Sequence, residues 1–234
     1  MNIKKIEFVA FTLFLFVVGT IHAQSSSSST FKIGFSIMPQ KTFMPNKDEK
    51  NDPKLSPYWR KGMMYGITAG FIYEKLGVDF GIHHSTQGVN FVKPTAFSAP
   101  SELKYLKIPV TLNFHPLKET GIPLILSGGI QASYLLDAKI EMPNGWYLPG
   151  EDTQWFYNSV IDVVAAVGID FSVQNNLYFN VKIRGDYSLS DPENKKHVYR
   201  SGGSSGKHWK TGRSPTHNVT IGILFGVEYH FNKQ

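Results

Sequence analysis

The sequence predicts an all-β fold: an eight-stranded antiparallel transmembrane β-barrel with four long extracellular loops. Three observations predict it. Eight stretches place apolar residues at every second position. The breaks between them are alternately short and long. The face opposite the apolar one mixes charges of both signs with glycines. Such a chain forms a wall that is apolar toward lipid and polar toward a lumen, with short turns at one end and long loops at the other.

The first strand is expected over Thr30 to Met38, with Phe31, Ile33, Phe35 and Ile37 outward. The second spans about Gly62 to Glu74, with Tyr65, Ile67, Ala69, Phe71 and Tyr73 on one face. The third, Leu76 to Gly88, turns Val78, Phe80 and Ile82 outward, and Asp79, Gly81, His83 and Ser85 the other way. The fourth, Leu103 to His115, alternates Leu106, Ile108, Val110, Leu112 and Phe114 with Lys107, Thr111, Asn113 and His115. The fifth, Pro123 to Leu136, offers Leu124, Leu126, Ile130, Ala132 and Tyr134.

The sixth, Val160 to Val173, runs from Ile161 to Phe171 in steps of two, with Asp162 and Asp170 opposite. The seventh, Leu177 to Ser188, turns Asn180, Lys182, Arg184 and Asp186 away from Phe179, Val181 and Ile183. The eighth, His217 to Phe231, sets Asn218, Thr220, Glu228 and His230 against seven apolar partners. The inward glycines Gly66, Gly70, Gly81, Gly168, Gly222 and Gly226 suit the cramped interior of a narrow barrel.

Short breaks fall at Glu74-Lys75, His115 to Ile122 and Gln174 to Asn176. Long ones fall at Pro39 to Lys61, Val89 to Glu102, Asp137 to Ser159 and Leu189 to Thr216. Both chain ends then lie on the short-turn, periplasmic side. Tyr65 and Tyr73 share one outward face, separated by roughly 19 Å along the membrane normal at ordinary rise and tilt. That matches two aromatic girdles. Pro109, with no N–H to give a ladder, predicts a local bulge or bend.

Met1 to Ala23 reads as a secretory signal: Lys4 and Lys5, an apolar run from Phe8 to Val18, then Ala23 before a cut at Gln24. That run is too short to span a bilayer. Residues 24–29 form a polar leader, expected to be disordered, and residues 30–234 the barrel domain. There is no cysteine, which excludes disulfides, thiolate metal sites and a lipidated N-terminal cysteine. The excess of 24 Lys+Arg over 18 Asp+Glu would suit nucleic acid, but export argues against it. Anionic outer-membrane lipid or lipopolysaccharide is the expected partner instead.

Chemistry-bearing residues are few. His83 and Ser85 share the inward face two residues apart, a spacing also seen where a histidine activates a serine in barrel-shaped lipid hydrolases. No carboxylate stands out as a third member, and a lipid substrate would need the pair on the other face. Asp79, Lys107, Asp162, Asp170, Lys182, Arg184, Asp186 and Glu228 line the expected lumen. They would form an ion path or, more in keeping with so narrow an interior, a salt-bridge network filling it.

The last long loop carries Lys195, Lys196, Arg200, Lys207, Lys210 and Arg213. It reads either as a grip for phosphate-rich glycolipid or an acidic partner, or as a solvated loop. Trp146 and Trp155, with their aromatic neighbours, suggest a binding surface or a cover over the barrel mouth. No histidine–carboxylate pattern has metal-site spacing, and no phosphate loop, dinucleotide fingerprint or hydrolase elbow is present. No cofactor is expected.

Two segments carry a resemblance. Gly81-Ile82-His83-His84-Ser85-Thr86-Gln87-Gly88 and Leu103-Lys104-Tyr105-Leu106-Lys107-Ile108-Pro109-Val110-Thr111-Leu112 resemble strand motifs of the PorT-like outer-membrane β-barrel family of the Bacteroidota. The chain departs from that pattern at His84, where tyrosine is commoner, and at Thr86, where glutamine often stands. The resemblance implies an outer-membrane barrel. It implies no single activity, because the family is functionally mixed. The end Tyr229-His230-Phe231 resembles the aromatic-terminated signal read by the barrel-insertion machinery, with three residues following it. The resulting expectation is a non-enzymatic envelope scaffold or surface-binding module, with an envelope protein as a further possible partner. A lipid hydrolase and a small pore are the alternatives.

Overall fold

A computed structural model describes residues 29–47, 57–91, 101–117, 121–140, 152–194, 198–200, 207–209 and 214–231. The barrel strands are β1 (Ser29–Phe43), β2 (Pro57–Tyr73), β3 (Leu76–Phe91), β4 (Ser101–Phe114), β5 (Leu124–Ile140), β6 (Ser159–Gln174), β7 (Leu177–Ser188) and β10 (Val219–Phe231). Two short strands, β8 (Val198–Arg200) and β9 (Lys207–Trp209), pair with each other between β7 and β10. The eight long strands close in the order β1-β10-β7-β6-β5-β4-β3-β2, and each pairing is antiparallel.

Closure follows from the pattern. A strand apolar on one face only buries that face against lipid, and an edge left open in lipid would strand a row of unpaired N–H and C=O groups. Pairing β1 with β10 removes both edges, with Phe31 opposite Phe231 and Ile33 opposite Tyr229. Outward residues such as Ile67, Leu112, Ile130 and Ile183 are exposed along the wall. At the short-turn end Phe31 packs beside Phe71 and Phe231, and Phe171 beside Phe179. Tyr65, Tyr134 and Tyr187 stand outward nearer the long loops.

The strands rise further toward the long-loop end than apolar alternation predicts. β1 continues to Phe43, β2 begins at Pro57, β3 reaches Phe91 and β5 reaches Ile140. In these extensions polar residues enter the outward face, as at Lys41, Lys61 and Lys139, and register shifts interrupt the alternation in β2 and β5. A search for apolar outward faces therefore stops too early. Ser29 opens β1 instead of closing a leader. The expected signal and the rest of the leader lie outside the described residues.

Pro109 causes no slip. Phe80 pairs with Val110 and His83 with Lys107 in one unbroken register, and Pro109 pairs with Gln131 across the other edge. The ladder omits the rungs beside the proline and resumes in phase. Gly81 faces the proline: a Cβ there would meet the His83 ring at 2.6 Å and the Pro109 ring at 3.0 Å, so glycine leaves room for both inside the wall. The register shift in this region lies instead between Lys104 and Tyr105.

Candidate functional site

The polar groups gather inside the barrel, in layers. At the short-turn mouth lies a cavity of about 250 Å³ bordered by Thr30, Ile72, His115, Asp170, Tyr178 and His230. Above it sits an ion-paired group. Lys32 of β1 reaches Asp79 of β3 and Glu228 of β10, each at 3.0 Å. The other Glu228 oxygen accepts from Asn180 of β7 at 3.0 Å. His230 lies 3.3 Å from Glu228 and stacks on Tyr178. Lys32 and Glu228 belong to the first and last barrel strands, so their pairing also ties the closing seam.

A second cavity, of about 50 Å³, occupies the centre. Asp79, His83, Asn113, Asn180, Lys182 and Arg184 are among its lining residues. Asp79 Oδ1, His83 Nδ1, Asn113 Nδ2 and Asn180 Oδ1 are buried without a protein partner. A polar space of this size suits a water or two.

The next layer is a chain of contacts across four strands. Asp186 of β7 holds Lys107 of β4 at 2.7 Å and Arg184 at 2.9 Å. Arg184 donates to Gln131 of β5 at 2.6 Å. Gln131 and Ser133 donate to one oxygen of Asp162 on β6, at 2.7 and 2.5 Å. Glycine allows strands to crowd here. A Cβ at Gly66 would strike the Ile82 carbonyl and the His83 ring, and one at Gly168 the Val181 carbonyl.

The long-loop end holds an apolar cluster beside buried polar side chains such as Thr42, Gln87 and Asn218. Met44, Val89, Leu103, Tyr105, Ala138, Ile140, Phe156 and Val160 form a buried cluster, with Leu135 and Trp155 packed against it. Trp155 ends a short 3-10 helix (Asp152–Trp155), which lays Trp155 and Phe156 over the mouth. Of the two uses open to the aromatic loop, covering the mouth is where these two side chains go. Trp146 lies outside the described residues.

All eight expected lumen charges point inward. Asp79 and Glu228 join the lower group, and Lys107, Asp162, Arg184 and Asp186 the upper one. Lys182 lines the central cavity and Asp170 the mouth. Lys32 was missed, although its place between outward Phe31 and Ile33 marks it as inward. Asp170, Glu228 and His230 bring potential metal-ligating atoms within 4.8 Å, a grouping that no spacing along the chain displays. Lys32 already supplies positive charge to that Glu228.

His83 and Ser85 are both buried, facing the lumen. Each is engaged elsewhere: His83 Nε2 lies 3.4 Å from Ser36 Oγ, and Ser85 Oγ accepts from Gln40 at 2.9 Å. His84 faces outward beside Tyr65, ring centroids 5.2 Å apart.

The base of the basic loop is tied down. Tyr157 N donates to Pro192 O and Asn194 N to Trp155 O, both at 2.8 Å, and isolated bridges join Phe156 to Glu193 and Asn46 to Thr216. Arg200 and Lys207 lie on the β8–β9 hairpin. Lys195, Lys196, Lys210 and Arg213 lie outside the described residues.

The family model described as outer membrane protein beta-barrel domain matches residues 22–192. No curated protein matches. Among solved structures, the chain is similar to Neisserial surface protein A, at 13% identity and TM-score 0.45, over 86% of this chain and 97% of that one. It is similar to the outer membrane protein OprG of Pseudomonas aeruginosa at 12% identity and TM-score 0.44, over 90% and 98% of the two chains. The attachment invasion locus protein Ail of Yersinia pestis follows at 14% identity and TM-score 0.38, over 88% and 100%. None of these likenesses bears on function.

Proposed function

The chain belongs to the outer membrane protein beta-barrel domain family, and on that premise we propose that it is a non-enzymatic outer-membrane protein with a plugged lumen, serving as an envelope scaffold or surface-binding module. The observation that carries this reading is the layered filling of the barrel. Two cross-strand polar networks and an apolar cover occupy the path between the short turns and the long loops. A wall this narrow leaves room for side chains and little else.

The binding surface on this reading is the long-loop end, where the segment Asp191 to His217 carries basic residues and is anchored at its base through Asn194 and His217. Export through the N-terminal signal and assembly by the barrel-insertion machinery complete the reading. Within the family, the Gly81–Gly88 and Leu103–Leu112 motifs support the PorT-like branch. They meet as neighbours in the wall, with Gly81 making room for Pro109. That is a packing role, and it implies no activity.

Planar-bilayer recording and cross-linking in the native outer membrane test the proposal. The expected results are no stable unitary conductance, and a reproducible cross-linked partner that disappears when residues 191–217 are trimmed. Stable conductance would overturn the plugged lumen. Unchanged contacts after trimming would overturn the binding role. Lipid A acyl number is expected to stay the same in Ser85→Ala.

A further inference from the structure

The outward wall of the described barrel is apolar over most of its height, and its charged side chains gather toward the long loops. Two of them stand in an unfavourable relation. Lys41 of β1 and Lys61 of β2 both point outward and both are exposed. The register sets them directly opposite each other. Like charges so placed repel and weaken a strand pair.

Neither lysine has an acidic partner among the described residues. On the far side of β1, Lys41 faces Ile221 of β10. Toward the short turns the next outward pairs are Pro39 with Met63 and Ile37 with Tyr65. Toward the long loops Phe43 and Trp59 pack with ring centroids 5.4 Å apart. On the β3 side the neighbouring outward residue is Thr86, opposite Met63. Lys104, also on the wall, differs: Asp137 holds it at 2.9 Å.

The surroundings set the depth. Aromatic rings above and below the two lysines mark the zone where a barrel wall meets headgroups. The long loops place that zone in the outer leaflet. Lysine buries its stem along apolar wall and carries its ammonium to the polar layer. Directly opposed strand positions have Cβ atoms about 5 Å apart, so two ammonium groups can converge on one anion. Charge-assisted bonds to a phosphate would turn the repulsion into attraction.

We infer that Lys41 and Lys61 form a binding site on the barrel wall for the phosphate of an outer-leaflet lipid headgroup, with the lipid chains lying along Ile37, Tyr65 and Ile221. The site goes beyond the proposed function. It uses the wall and not the loops, and it stands whether or not residues 191–217 bind a partner.

Native mass spectrometry of the full chain folded in detergent micelles tests it. The probes are diphosphorylated lipid A, the same lipid with its phosphates removed, and inorganic phosphate as competitor. The unaltered protein is expected to retain the phosphorylated lipid in clear preference to the dephosphorylated one. Lys41→Gln/Lys61→Gln should lower that retention roughly thirtyfold, taking each lysine at its ordinary weight against an anionic surface. Lys41→Arg/Lys61→Arg should keep it. Lys47→Gln, the same charge change in the adjoining loop, should leave it within about twofold. Heat-modifiable gel migration reports that each variant is folded. Equal retention of both lipids would overturn the inference, as would undiminished retention by folded Lys41→Gln/Lys61→Gln. Displacement of the lipid by millimolar inorganic phosphate would reassign the site to a soluble anion and overturn the lipid assignment.

Discussion

The middle of the lumen and the apolar cluster at its long-loop end are both buried, yet opposite chemistry fills them. In the middle, Lys32, Asp79 and Glu228 below and Lys107, Arg184 and Asp186 above are held by partners from several strands. At the end, Leu103, Tyr105, Ile140 and Phe156 pack without a single ion pair among them. The difference reflects what each region is made from. The middle is wall only, and a wall that is apolar outward must turn its polar residues inward. The end receives a loop, and the loop brings Trp155 and Phe156 from outside the alternation. A narrow barrel can therefore be stoppered in two ways: by charges that must be paired, or by apolar groups that need only fit.

The polar middle should fail hardest when one charge is removed. Asp186→Ala leaves Lys107 and Arg184 buried without their shared carboxylate, an expected loss of about 3–5 kcal/mol. Reversible denaturant unfolding in lipid vesicles measures it. A loss below 1 kcal/mol would mean that the upper network contributes little.

The apolar end should lose less, because a loop can settle into the space. For Phe156→Ala about 3 kcal/mol is expected, at the low end of the range for such truncations. The same unfolding experiment applies, with faster proteolysis in the long loops as a second readout. An effect as large as that of Asp186→Ala would erase the distinction drawn between the two regions.

Crowding in the polar wall offers a finer probe. Gly66→Ala forces a methyl against the Ile82 carbonyl and the His83 ring. Overpacking of this kind costs about 1–3 kcal/mol. The weakest effect belongs to the exposed pair on the outer wall. Lys104→Ala removes the bond to Asp137, where the two side chains are 41% and 53% exposed. A change of about 0.5 kcal/mol or less is expected there. Asp186→Ala and Lys104→Ala both break a short lysine–aspartate contact, one buried and one exposed, and Asp186→Ala also releases Arg184.

Much of the architecture was legible without the structure, for one physical reason. A β-strand shows its two faces at a period of two, and a barrel in lipid assigns each face a solvent. Val219 to Phe231 alternates so regularly that its strand, its outward set and the inward Thr220, Glu228 and His230 are all readable. The strand ends were less so. Above the apolar band polar residues interrupt the outward face, and the signal that defined the strand is lost although the ladder continues past Lys41 and Lys61. At Pro109 the register carries no bulge, only two missing rungs, and the glycine facing the proline lies on another strand, out of reach of a local reading.

The sequence by itself determined the strands, their faces and the closed wall, because these follow from local alternation and from the cost of an open edge in lipid. Only the tertiary structure decided which charges meet, that Asp170, Glu228 and His230 converge, that Trp155 and Phe156 turn inward, and that Lys41 stands opposite Lys61. Each of these depends on the register between strands or the return of a loop. Lys32 and Glu228, 196 residues apart, touch only because the barrel closes.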